Sequence, residues 1–336
     1  MRPTLRLRAT LATVAAATGL LGAGLPKAQP AAAPLQLCQT IVLPDVNGGF
    51  DLMAIDLAGK RLFVDAEDNN TTEVLDVAGR GRWLARIPGM TQPKWAVYRP
   101  ELNKLYIANG DGVLKVLDGR TYALKTALKF PQKTNNLRYD APSHALLVGV
   151  GDTMGQLAVV DAKTDAVSRT IPLASFPKQF EIAGDKVFIN VPAKSLVQVV
   201  DWKRGVLVTQ WSLPRCENVP MDLDRAGHRL LIGCTQGELL SLDTRSGQVL
   251  SRTPIDRDAD GVHFDASRRR VYVTAGEGAI DVLQPAGAQG FERQARIPTR
   301  PGAGTSILVP QLQALFVALP QRGAEPAEVR GYHVAG

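Results

Sequence analysis

Four residues able to hold charge or move protons, Arg138, Glu181, Asp222 and His263, occur in similar settings, each between two apolar or aromatic neighbours. Arg138 stands between Leu137 and Tyr139, Glu181 between Phe180 and Ile182, Asp222 between Met221 and Leu223, and His263 between Val262 and Phe264. In an extended strand successive side chains point to opposite faces, so each polar group is turned away from the pair that flanks it. Strands of this kind set side by side would bring a base, two acids and an imidazole to one surface. Such a surface is either a ligand site or a mutually paired network, since buried charges persist only when partnered. As a ligand site, Arg138 would grip an anionic group, with Glu181, Asp222 and His263 serving as metal ligands or as acid and base. Trp95, one residue before Ala96 on a related stretch, could roof the site.

A second constellation is Asp256, Asp258, Asp260 and Gly261, which read DxDxDG. Alternating carboxylates followed by a glycine let several oxygens converge on a hard cation, and calcium is the cofactor expected there. The pattern departs from a full calcium loop, because Phe264 and Ser267 stand at the ninth and twelfth positions, although Asp265 lies close. A solvated acidic loop is the alternative.

Cys38, Cys216 and Cys234 form no CxxC or CxxCH pattern, which excludes thioredoxin-like chemistry and covalent c-type haem. In an oxidising compartment three cysteines make one disulfide and one odd thiol. Cys216 precedes an inner strand and Cys234 ends the next, so a hairpin carries both to one rim, provided the chain before Val219 curls back. Cys216–Cys234 is the expected bridge, with Cys38 free.

The nucleophile elbow, the HExxH zinc helix and the phosphate-binding loop are absent. Gly149 to Gly155 imitates a dinucleotide fingerprint but sits in a β turn with no helix after it. Asn69 and Asn70 satisfy N-x-T and read as a turn. His144 and His228 fall at turns, and His333 reads as structural.

The elements that must position these residues repeat along the chain. Seven apolar runs, beginning at Arg61, Lys104, Ala145, Lys186, Arg229, Arg270 and Ala314, are separated by 43, 41, 41, 43, 41 and 44 positions. A second stretch follows each and mostly closes on an aspartate: Asp76, Asp118, Asp161, Asp201, Asp243 and Asp281. A third β-rich run comes after it and an alternating strand comes before. Four short strands per repeat, with Gly, Asn and Asp at the turns, predict an all-β fold, a seven-bladed β-propeller of four-stranded blades. The last repeat provides three strands only. The unmatched Leu35 to Leu43 is expected to complete it and close the ring, which removes an exposed edge.

Alignment on the seven runs places Met53, Ala96, Leu137, Phe180, Met221 and Val262 at one inner-strand position, apolar as packing between blades requires. The next position holds Ala54, Val97, Arg138, Glu181, Asp222 and His263, and alternation turns this series toward the channel.

Val271 to Thr274 (VYVT), Leu105 to Asn109 (LYIAN) and the strands that end in aspartate resemble the YVTN repeat of the YncE-like seven-bladed propellers, a group of secreted and periplasmic proteins. The likeness runs from about Leu35 to Gly336, is closest in the sixth repeat and weakest in the seventh. It implies a non-enzymatic binding or scaffold protein of the cell envelope.

Residues 1–33 have the plan of a signal peptide: Arg2, Arg6 and Arg8, an apolar run from Leu11 to Leu25, then small residues to Ala33. The run is too short and too rich in Ala, Thr and Gly to span a bilayer. The propeller is expected over 34–336, periplasmic or secreted, monomeric, and without a membrane span once the leader is cleaved. The formal charge of +7 falls to a mild excess when the basic residues of the leader are removed, which gives no argument for nucleic acid. The partner is expected to be a protein or a small-molecule ligand. Two other functions fit the sequence: a lactonase-like hydrolase using polar groups at the channel, and an accessory of periplasmic quinone-dependent oxidation, the latter on fold analogy alone.

Overall fold

The computed structural model describes Met1, residues 33–287 and residues 289–336. The signal-peptide reading falls almost wholly outside the described residues. Ala33–Gly336 forms one compact unit, and no helix among the described residues is long and apolar enough to cross a membrane.

Each apolar run becomes the second strand of a four-stranded antiparallel sheet, and there are seven such sheets. The innermost strands are Met53–Asp56, Pro93–Arg99, Thr134–Asp140, Phe180–Ala183, Asn218–Asp224, Ala259–Asp265 and Ser306–Val309. The second strands are nearly continuous in apolar residues because both of their faces are covered by neighbouring blades; Lys104–Asn109 and Arg229–Cys234 are buried along their whole length. Between blades seven and one, Phe316 and Val329 join Leu62, Val64 and Leu75 in a single buried cluster. A fully buried aliphatic or aromatic side chain contributes about 1.5–3 kcal/mol, so such clusters are what hold successive blades together.

Ring closure follows the sequence expectation. Leu35–Val42 is the outermost strand of the seventh sheet and pairs antiparallel with Glu328–Val334, Leu35 opposite Val334 and Val42 opposite Glu328.

The strand-closing aspartates hold tight turns. Asp118 Oδ1 accepts from the backbone N–H of Arg120 and Thr121, both at 3.0 Å, and Asp243 Oδ1 accepts from Arg245 and Ser246, both at 2.9 Å. Asp281 does not belong to this series. It pairs with Val273, deep in its strand, which runs on past Leu283, opposite Val271, to Ala286. In the sixth blade Gln284, next after Leu283, stands where the other strands close on aspartate, and Asp281 is instead fully buried against Arg293, Nε to Oδ1 at 2.8 Å.

The disulfide joins Cys216 to Cys234, with a Cα–Cα distance of 5.0 Å. Asn218, not Cys216, is directly opposite Cys234 in the ladder, so the two residues before the strand make the curl that the bridge requires. Cys38 is a free thiol.

Candidate functional site

Register places Ala54 opposite Phe63, Val97 opposite Tyr106, Arg138 opposite Leu147, Glu181 opposite Phe188, Asp222 opposite Leu231, His263 opposite Tyr272 and Ile307 opposite Phe316. The seven are equivalent residues of seven inner strands, and all line one cavity of about 420 Å³ along the bore. The wall is divided. Blades seven, one and two present Ile307, Ala54 and Val97, and blades three to six present Arg138, Glu181, Asp222 and His263.

Arg138 directs two nitrogens at a single oxygen of its neighbour. Nε donates to Glu181 Oε1 at 2.9 Å, Nη2 contacts the same oxygen, and Nη1 donates to the Leu137 carbonyl at 3.1 Å. The guanidinium also lies over the Trp95 ring, 4.0 Å from its centroid. Trp95 therefore stacks against Arg138, a cation–π contact.

Asp222 receives two backbone amides, Leu223 N–H at 2.7 Å and Phe264 N–H at 2.6 Å, the second from the next blade. Enclosure within the bore, and next the charge of Glu181, push its carboxyl up to about 6, while the two amides and Arg138 pull the other way.

His263 Nε2 lies 2.8 Å from Ser306 Oγ, and Ser306 Oγ lies 2.7 Å from Thr274 Oγ1, which donates to the Gly304 carbonyl. A carbonyl can only accept, so the proton of Thr274 is committed to Gly304 and the proton of Ser306 points to Thr274. His263 must then donate from Nε2, and its Nδ1 keeps a lone pair. Burial first, then the positive charge of Arg138, hold the imidazole down at about 4, so it is neutral at pH 7. Ser306 escapes the sequence reading because the inner-strand alignment stops at the sixth blade; continued into the seventh, it places a serine where every other blade has an apolar residue.

The three aspartates of the DxDxDG stretch do not converge. Asp256 is tied to Arg296, Nε to Oδ2 at 2.8 Å, and to Arg293. Asp258 lies outside the strand at φ 58 against Gly276, and Asp260 lies on it near Thr305. The inner strand Ala259–Asp265 begins inside the motif, and extended chain disperses side chains that a cation loop must curl together. Among the described residues no three His, Cys, Asp or Glu side chains are grouped so that they could hold a metal ion.

Just before the inner strand of blade one, a further charged group surrounds Asp51. Its carboxyl is pushed up to about 7 by burial and by Asp260, against the pull of Lys94, which pairs with Glu67 and lies 3.7 Å from Asp51.

The fold and bore define a seven-bladed β-propeller with a ligand-sized channel. No family model and no curated relative matches the chain. Its fold is similar to one chain of the crystal structure of the mitotic checkpoint complex, with a TM-score of 0.75 and 13% sequence identity over 99% of each chain. Likeness at that identity is likeness of fold.

Proposed function

We propose that this chain is an exported, non-enzymatic binding protein of the cell envelope that receives a small ligand in its bore. The observation that carries the reading is the divided wall of the 420 Å³ cavity. A few convergent polar groups facing an apolar surface, in a concavity of this size, is the usual makeup of a small-molecule site. The Ser306–His263 contact is what a hydrolase would need, but the hydroxyl relay runs outward from the imidazole. His263 acts as donor to Ser306 rather than as its base, so Ser306 is not an activated nucleophile in this arrangement. Export rests on the N-terminal leader pattern and on the disulfide, which belongs to an oxidising compartment.

The test is to purify the protein from its native envelope fraction and extract the small molecules that accompany it. A compound should co-purify with the wild type and be lost from the folded Asp222→Ala, His263→Ala variant. A compound retained equally by both places the site elsewhere, and finding the protein with residues 1–20 intact in the cytoplasm overturns export.

A further inference from the structure

We infer that the bore takes a small organic cation, an amine or ammonium group on an apolar body, with Asp222 as its counter-ion. This names the ligand class of the site proposed above and rests on that reading.

Four charged residues line the cavity: Arg99, Arg138, Glu181 and Asp222. Arg99 is answered by Glu101 at 2.8 Å and covered by the Tyr139 ring, whose centroid is 4.0 Å away. Arg138 is answered by Glu181 and covered by Trp95. Both guanidiniums are thus stacked on a ring and already have a carboxylate as ion partner. Asp222 alone among the four has no side-chain ion partner among the described residues. Backbone amides satisfy one lone pair on each of its oxygens, and a carboxylate has about four such sites, so further acceptor capacity remains.

Its flanks offer acceptors too. Both Arg138 contacts go to Glu181 Oε1, leaving Oε2 without a protein donor among the described residues. His263 adds Nδ1, which the Ser306–Thr274–Gly304 relay leaves with a lone pair and which has no donor among the described residues. The Gln179 amide is already engaged by Met221 N–H and the Asp260 carbonyl. A guest on this side must donate hydrogen bonds, and one bearing positive charge would neutralise Asp222 in an enclosed site, where charge pairing counts for more than in water. Ile307, Ala54 and Val97 on the far wall require the rest of the guest to be apolar.

The experiment compares two probes of similar size and opposite charge, phenethylamine and 3-phenylpropanoate, by calorimetric titration of the mature protein at pH 7.5. Phenethylamine should bind at least about tenfold more tightly, and Asp222→Asn should remove that preference. Because Asp222→Asn could perturb folding, the wild type carries a second readout: the amide resonances of Leu223 and Phe264, whose N–H groups hold Asp222, should shift when phenethylamine is added. Tighter binding of 3-phenylpropanoate, or phenethylamine binding that leaves both amides unmoved, overturns the cation inference and leaves the bore a binding site. No binding of either probe at millimolar concentration overturns both readings.

Discussion

Arg138 donates through Nε to Glu181 Oε1 at 2.9 Å while its guanidinium rests 4.0 Å from the centroid of the Trp95 ring, so one side chain ties together blades two, three and four. A planar, delocalised cation can make both contacts at once, which an ammonium cannot.

Replacing Arg138 with Ala removes the ion pair and the stacking and leaves Glu181 without its partner inside the bore. A loss of about 2–3 kcal/mol in urea unfolding is expected. Arg138→Lys should lose about half of that. The double variant Arg138→Met, Glu181→Gln should recover part of the loss, because the unpaired carboxylate is gone. Equal stability of Arg138→Ala and wild type would show that the pair merely decorates the wall.

The disulfide spans a sequence separation of 18 residues. Replacing Cys216 and Cys234 together with Ala should cost about 3 kcal/mol, the scale for a loop of this length. Cys38 is exposed, so a thiol reagent should label the native protein once per chain and leave its unfolding midpoint unchanged. Labelling of two further thiols in the native state would contradict the bridge.

The fold was legible because its signal is repetitive: seven apolar runs with nearly equal spacing report one strand in seven equivalent places. The same spacing carried Arg138, Glu181, Asp222 and His263 to the bore, since alternation in a strand fixes the face once the register is known. What the sequence left hidden is what depends on neighbours across blades. Asp281 looked like a strand-closing aspartate until pairing with Val273 put it inside the sheet. Ser306 lies one repeat beyond His263, 43 positions away, yet the contact between them crosses from one blade to the next, and the partners that hold Arg138 are side chains of two other blades.

Asp65 is fully buried, with Oδ1 accepting from Thr72 Oγ1 and Oδ2 without a hydrogen-bond partner among the described residues. Burial pushes its carboxyl up from 3.8 to about 8. A carboxyl whose pKa is higher folded than unfolded keeps a proton that the unfolded chain has released, so stability falls as pH rises between the two values. Asp51, pushed up to about 7, acts in the same sense. His263, held down from 6.5 to about 4, acts oppositely between those values, because there the unfolded state binds the extra proton. The window in which Asp65 dominates therefore lies between about pH 6.5 and 8. Urea titrations should show the wild type less stable at pH 8 than at pH 6.5, with Asp65→Asn flattening the difference; a wild type equally stable at both would rule this out.

Gly261 ends the DxDxDG stretch, where a glycine usually serves a tight loop by adopting positive φ. Its φ is not positive, so backbone conformation does not demand glycine here, and space does. A Cβ at this position would lie 2.3 Å from Thr274 Oγ1 and 2.4 Å from Ser306 Oγ, in the middle of the relay that fixes His263. Both hydroxyls are short and buried, so neither can yield without breaking its hydrogen bond. Gly261→Ala should therefore cost about 1–3 kcal/mol, as overpacking in a filled interior does. It should also release the imidazole from a single tautomer. Nitrogen chemical shifts of His263 should report Nε2–H with a bare Nδ1 in the wild type, and a mixture of tautomers in Gly261→Ala. Ser306→Ala, which removes the acceptor without adding bulk, should give the same mixture with a smaller loss of stability, on the order of 1 kcal/mol. A wild type already showing Nδ1–H would reverse the direction of the relay and remove the acceptor assigned to Nδ1.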